Sequence, residues 1–398
     1  VSKEIVLQEY ADTTVSLSPE DVTFLTEELG GRFVVRRQLT GIDFVVNPQQ
    51  YVGVLTLPSG RRVEIRPKVP VQSVFAMLAV AYDLSPHLFA QTADFTDLDA
   101  LLEFLIAHFA DLLEDRVQHG LYRTYAEREE NLLAVRGRIA IGEDLRRNVV
   151  MRHRTYCRYT EFTWDVPENQ VLRQVAHLVS GWVRRSELRQ RLHELDWQLA
   201  EITPTHHSRA VLDRFSYHRL NADYEPLHRL CKLFLEGATL TEDAGAFNFR
   251  TFLIDMNQLF EAFVTQLLRD QAPPGYTVAA QTTVYLDEER RVQMRPDIVI
   301  RWRGVPVLVA DCKYKRIEPG EFRHHDVYQV LAYCTALGIK QGALIYPRLV
   351  QPTEATVRIR HSSIELSTTT VDLTWEAGVQ AGVLKSLNFS SFFPSSQM

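Results

Sequence analysis

The chain has 398 residues, enough for two or three domains, and 45% hydrophobic with 24% charged residues is the composition of a soluble globular protein. Its net charge is -6. That excludes a protein that wraps nucleic acid by bulk positive charge, so any nucleic-acid contact must come from a local patch or a partner.

The first ~95 residues read as a β-rich module. RFVVRRQL and DFVVNP are short strands, and YVGVLTLPSGRRVEIRPKV is a hairpin turning at Pro58-Ser59-Gly60. Arg61, Arg62, Arg66 and Lys68 lie close together on it. They read as a basic finger toward a partner or as a solvated strand edge. A helix, VQSVFAMLAVAYDL, follows; its apolar stretch at 74–82 is too short to span a bilayer, and no membrane role is expected.

Residues 96–244 read as a mainly helical middle region. Asp97 caps a helix that stops at Gly120, and three more helical patterns lie near 167–185, 187–202 and 221–236. Between them, Arg136 to Arg158 holds seven arginines against Glu143 and Asp144, with Tyr156 and Tyr159 nearby. Three readings stand: a track for DNA phosphates with stacking tyrosines, a face toward a partner, or a solvated face.

Residues 245–398 read as an α/β domain with a loose tail after 385. The predicted order is a long helix through NFRTFLIDMNQLFEAFVTQLLRDQ, a strand YTVAAQTTVYL, two hairpin strands, a helix HDVYQVLAYCTALG, a strand GALIYP and a final β-like run. The fold class expected is therefore mixed α/β, or α+β.

The hairpin RPDIVIRWRGVPVLVADCKYK turns at Gly304 and carries Asp297, Asp311 and Lys313 on an apolar background. Buried charges are costly unless paired or bound to a metal. Residues i and i+2 share a strand face, so Asp311 and Lys313 point the same way. Asp297 lies on the neighbouring strand at the same end of the hairpin, about 5 Å away. Two carboxylates plus the Cys312 backbone carbonyl suit Mg2+ or Mn2+. With Lys313 orienting water and offsetting phosphoryl charge, the set reads as metal-assisted phosphodiester hydrolysis. An ion pair at a sheet edge is the plain alternative. Glu261 is the acidic residue on an apolar helix face, either a further metal ligand, direct or through water, or a solvated charge. Gln329 and Tyr333 share a helix face; Gln329 reads as a partner near Lys313, a phosphate contact or a surface glutamine.

Cys157, Cys231, Cys312 and Cys334 match no zinc spacing, which suits a reduced cytoplasmic protein. No G-x-x-x-x-G-K-[ST] loop occurs, so the chain is not expected to hydrolyse a nucleoside triphosphate itself.

Pro296-Asp297, Asp311-Cys312-Lys313 and Gln329-x-x-x-Tyr333 resemble the PD-(D/E)xK nuclease superfamily. With FLIDMNQLFEAFV, RPDIVI, LVADCKYK, VYQVLAY, GLYRTYAEREENLLAVRGRI and YTEFTWDVPENQVLR, the chain resembles the McrC subunit family of McrBC modification-dependent restriction systems. The resemblance covers roughly 120–347, and the first 100 residues more loosely. It implies a restriction-endonuclease-like C-terminal domain at 245–398, with Asp297 and Asp311 as metal ligands and Lys313 as catalytic lysine. It also implies a Mg2+-dependent DNA endonuclease acting on 5-methylcytosine-type modified DNA, driven by a hexameric McrB-like AAA+ GTPase that the N-terminal module stimulates. A free-standing nuclease and a non-cutting adaptor of an NTPase are the alternatives; the intact Asp297, Asp311 and Lys313 disfavour the adaptor.

Overall fold

The N-terminal strands form two small sheets in the computed structural model, which describes residues 4–38, 43–84, 97–151, 153–238, 251–318, 320–348 and 354–373. β1 (Glu4–Gln8), β5 (Tyr51–Thr56) and β6 (Arg62–Arg66) belong to one; β2 (Thr13–Ser16), β3 (Val34–Arg37) and β4 (Asp43–Asn47) form the other, in the order β2-β4-β3. The expected hairpin is present as β5 and β6, antiparallel, with Gly60 at φ +81 in its turn. Leu55, Val63 and Ile65 pack with Leu7, Phe24, Phe33 and Val46 into one core.

The chain divides into two compact units, one formed by 1–102 with 239–398, the other by 103–238. The middle unit nearly coincides with the predicted 96–244 region. The outer two segments, read separately in the sequence, share a sheet. A strand at Thr251–Asp255 (β10) closes it in the order β1-β6-β5-β10, with Thr251 opposite Leu55 and Asp255 opposite Tyr51. Gly53 sits at that seam, where a Cβ would come within 2.1 Å of the Phe252 carbonyl oxygen. A helix at Val71–Ala81 packs on one at Met256–Gln271, joining the same two segments. The predicted long helix through 248–271 is thus shorter. TFLID is a buried strand, and the helix begins where the Asp255 carboxylate accepts the amides of Asn257 and Gln258 at 2.9 and 3.1 Å. A short continuous apolar run does not by itself separate strand from helix.

In the middle unit, the Leu98–His119 helix enters from the other unit, capped by Asp97 as expected. Three strands, β7 (Thr124–Leu132), β8 (Arg138–Ile139) and β9 (Thr155–Thr163), lie in the order β7-β9-β8. Helices Pro167–Ser180, Ser186–Gln198 and Glu225–Gly237 correspond to the three helical patterns, with ends within about five residues of those read. Buried Asn169 ties the unit together. Its amide donates to the Tyr122 and Trp164 carbonyls at 2.9 and 2.6 Å, and it accepts the Tyr224 hydroxyl at 2.7 Å.

The C-terminal part of the first unit holds a six-stranded mixed sheet, order β11-β14-β15-β16-β18-β17. These are β11 (Tyr276–Ala280), β14 (Ile298–Trp302), β15 (Val305–Cys312), β16 (Gln341–Arg348), β17 (Ala355–Arg358) and β18 (Glu365–Asp372), with a small ladder of β12 (Val284–Tyr285) and β13 (Gln293–Met294) between. β14 and β15 form the predicted hairpin, and β16 runs parallel to β15 after the His324–Leu337 helix. The strand predicted over 276–286 breaks at Gln281, whose φ is +49. The tail after 385 and the boundary at 245 lie outside the described residues.

Candidate active site

Three neighbouring strands end in one row. Ala280 faces Ile298 and Ile298 faces Ala310, so Gln281, Asp297 and Asp311 are successive cross-strand neighbours at the ends of β11, β14 and β15. The Gln281 amide nitrogen continues the ladder by donating to the Asp297 carbonyl at 2.9 Å. The Asp297 carboxylate accepts the Cys312 amide at 2.8 Å, which fixes it beside Asp311. Cys312 ends β15, and its peptide carbonyl directly follows Asp311.

Asp311 is fully buried, and neither of its carboxylate oxygens has a hydrogen-bond partner. Lys313 Nζ lies 2.6 Å from Asp311 Oδ2, a charge contact without hydrogen-bond geometry. The Lys313 backbone is pinned by its amide donating to the Ile345 carbonyl at 2.9 Å. Burial pushes the Asp311 carboxyl well above the usual carboxylate range, and the Asp297 charge pushes it further. Asp297 is raised by the same desolvation and by Glu261. Burial pulls the Lys313 ammonium down, but the Asp311 contact, together with the Asp297 and Asp326 charges, outweighs it and the net shift is upward. One lysine faces two carboxylates that hold protons more tightly than carboxylates ordinarily do.

Glu261 projects from the Met256–Gln271 helix to this row, half-buried, and its carboxyl is raised first by burial. Its partner is a residue the sequence reading did not select: the Gln281 side-chain amide donates to Glu261 and lies 3.5 Å from Asp297 Oδ1. Gln329 is engaged with Tyr333, donating to its hydroxyl at 2.7 Å. Burial chiefly raises the Tyr333 hydroxyl, and the Asp311 and Asp297 charges add to it. The helix face carrying the pair therefore lies beside the carboxylates, with the Gln329 amide turned to Tyr333.

Among the described residues, no three His, Cys, Asp or Glu side chains converge on one point as a closed metal cage. What the site offers is narrower: two adjacent carboxylates, a following carbonyl and a third carboxylate held by Gln281. Beyond the Lys313 ammonium, 2.6 Å from Oδ2, the buried Asp311 carboxylate keeps lone pairs that fit a hard cation.

A second buried carboxylate was also missed. Asp326 accepts Lys315 Nζ at 2.9 Å and the Tyr346 hydroxyl at 2.7 Å. Its signal in the sequence was faint, an aspartate opening a helix.

The basic residues of the β5–β6 hairpin are engaged inside their own unit. Arg61 pairs with buried Asp21 at 2.9 Å, Arg62 with Asp99, and Arg66 with Glu64 at 3.0 Å. Lys68 lies 3.4 Å from Glu9, donates to the Tyr314 carbonyl at 2.9 Å and sits 3.8 Å from the Tyr314 ring centroid. Much of the expected basic finger thus serves to hold the unit together. In the middle unit, Arg136, Arg147 and Arg158 pair with Glu161, Glu143 and Glu129, and Arg136 stacks 4.1 Å over Tyr159. Exposed Ile141, Leu145 and Val150 stand among them.

No helix among the described residues is long and apolar enough to cross a membrane. A search of curated proteins gave no match. Among solved structures, the chain is similar to one in a refined half-complex from the tetradecameric assembly of Thermococcus gammatolerans McrB AAA+ hexamers with bound McrC. Identity there is 19% and the TM-score 0.60, over 96% of this chain and 97% of that one. A second similarity, to a chain of the Thermococcus gammatolerans McrBC complex, has 21% identity and a TM-score of 0.43, over 68% and 88% of the two chains. Residues 46–347 match the family described as McrBC 5-methylcytosine restriction system component, and the chain belongs to that family.

Proposed function

We propose that the chain is the McrC-type nuclease subunit of such a system, cutting DNA phosphodiesters at the Asp297–Asp311–Lys313 row. The observation that carries this reading is Asp311: fully buried beside a second carboxylate, with the Lys313 ammonium 2.6 Å from Oδ2 as its charge partner and lone pairs left over. A structural ion pair has its lone pairs satisfied; a ligand site keeps them for its ligand.

Asp297 and Asp311, with the Cys312 carbonyl, would hold Mg2+ or Mn2+, and Glu261 would complete the set. Such an ion, when bound, polarises the phosphodiester and stabilises charge on the leaving oxygen. Lys313, just past the end of β15 and held there by its amide's bond to the Ile345 carbonyl and its contact with Asp311, orients the attacking water and stabilises the negative charge growing on the phosphoryl oxygens. The Cys312 amide keeps Asp297 in place so that neither carboxylate must reorganise during the reaction.

The partner in this reading is a hexameric AAA+ GTPase of the McrB kind, which reads modified DNA and drives it to this subunit. A chain of similar fold occurs in an assembly of McrB hexamers with bound McrC, which supports that arrangement. The test is cleavage of methylated DNA by the complex in Mg2+ and GTP. Asp297→Asn or Asp311→Asn should abolish cutting while stimulation of the partner's GTPase persists. Near-parental cutting by either folded variant would sink the assignment.

A further inference from the structure

Gln281 is the residue of the row whose chemistry the proposed reaction leaves unused. Its backbone sits at φ +49, a conformation that non-glycine residues rarely adopt and that persists only where surroundings over-determine it. The surroundings do so from both sides. Its amide nitrogen donates to the Asp297 carbonyl at 2.9 Å, and Arg295 Nε donates to its own carbonyl at 3.1 Å. The strained turn sends the side chain between two acids. A carboxamide nitrogen has two protons, and here Nε2 donates to Glu261 Oε1 and reaches 3.5 Å from Asp297 Oδ1. Glu261 comes from a helix and Asp297 from a strand; the Gln281 amide bridges the two.

We propose that Gln281 is a positioning residue that sets the Glu261 carboxylate at the edge of the Asp297–Asp311 pair, so that a divalent cation held by that pair finds Glu261 already oriented toward it, directly or through water. This rests on the reading of the row as a cation site. Without the bridge, Glu261 swings on three rotatable bonds and repels Asp297. Cation binding must then order it. Partners that orient ligands in this way are typically worth 10–100-fold in metal affinity.

The experiment uses the full chain, Mn2+ as the probe and electron paramagnetic resonance to count free ion. Gln281→Gly removes the amide and suits the positive φ, so a backbone role is preserved while the bridge is lost. The expected result is Mn2+ binding weakened about tenfold or more. Glu261→Gln should weaken it as well, and the double variant should bind no worse than Glu261→Gln alone, because Gln281 acts through Glu261. Binding by Gln281→Gly within twofold of the parent overturns the proposal, as do additive losses in the double variant. Asp311→Asn separates this from the underlying reading. If it loses Mn2+ while Gln281→Gly does not, only the positioning role fails. If it binds like the parent, the cation site fails and the positioning role with it.

Discussion

Two aspartate–lysine pairs lie close together in the same sheet-and-helix layer, and they are built differently. Asp311 and Asp326 are both essentially inaccessible, and each has a lysine of one short segment, Lys313 or Lys315, within 3 Å. Asp326 is satisfied: Lys315 and the Tyr346 hydroxyl both hydrogen-bond it. Burial raises its carboxyl, but those bonds outweigh burial and its net shift is downward. Asp311 has the charge contact without the hydrogen bonds, has Asp297 beside it, and shifts upward. Composition and spacing do not separate a structural ion pair from a functional one. Satisfaction of the lone pairs does.

The largest effects should fall on opposite properties. Asp311→Asn is expected to cut DNA cleavage by about 10²–10³-fold or more with a smaller fall in melting temperature than Asp326→Asn, since relief of the Asp297–Asp311 repulsion and of burial offsets the loss of the Lys313 contact. Lys313→Met is expected to lose rate on a similar scale while Mn2+ binding persists, because its charge acts on the transition state. Equal loss of both would make Lys313 a structural companion of the aspartates. Asp326→Asn is expected to destabilise the fold by about 3 kcal/mol, the low end for breaking a buried pair, because Lys315 keeps contact with water. Denaturant melts of the three variants check the contrast; a destabilised Asp311→Asn with a stable Asp326→Asn would invert it.

Much of this was legible. The alternation of RPDIVI and LVADCK, with the turn at Gly304, places Asp297 and Asp311 at the same end of the hairpin; the exact pairing was not legible, because a bulge between Ile300 and Arg301 shifts the register and brings Asp297 opposite Asp311. The family followed from the same blocks and is borne out over 46–347. Gln281 was not legible, because QTTV continues a β-like run and only the backbone at φ +49 turns its amide toward two acids. Asp326 was hidden because its partners, Lys315 and Tyr346, are 11 and 20 residues away in sequence. β10 was hidden because TFLI is apolar in either secondary structure. That strand has a practical consequence. A fragment ending near 240 lacks the edge that covers β5, so the docking role proposed for the N-terminal module is better tested by substitutions in the full chain.

Acidity should separate the two pairs in a subtler way. Asp297 and Asp311 have folded pKa values raised above the unfolded carboxylate value of about 3.9. Their contribution to stability is present below that value and is lost as pH rises through the folded pKa values. The parent should therefore lose stability relative to Asp311→Asn between about pH 4 and neutrality. Asp326 is lowered, so its contribution is present above the ordinary range and fades as pH falls through its folded pKa. The parent's advantage over Asp326→Asn should shrink only in acid. Parallel pH curves for the two comparisons would show that both pairs are the same kind of site.

The smallest expected effect lies at the solvated end of the scale. Arg158 and Glu129 face each other across β7 and β9 with side chains 58% and 40% exposed, so water screens them and competes for their hydrogen bonds. Arg158→Ala should change unfolding free energy by less than about 1 kcal/mol, far below the Asp326 substitution. Because stability hardly moves, the same variant is a clean probe of what the arginine-rich stretch does. If it tracks DNA, the complex should show uniformly weaker DNA affinity and a salt dependence shallower by about one unit of slope per lost phosphate contact. If it faces the ring, DNA affinity should hold while GTPase stimulation falls. A melting shift as large as that of Asp326→Asn, with both functions intact, would mean that exposure does not set the worth of these pairs, and the contrast between Asp311 and Asp326 would lose its physical basis.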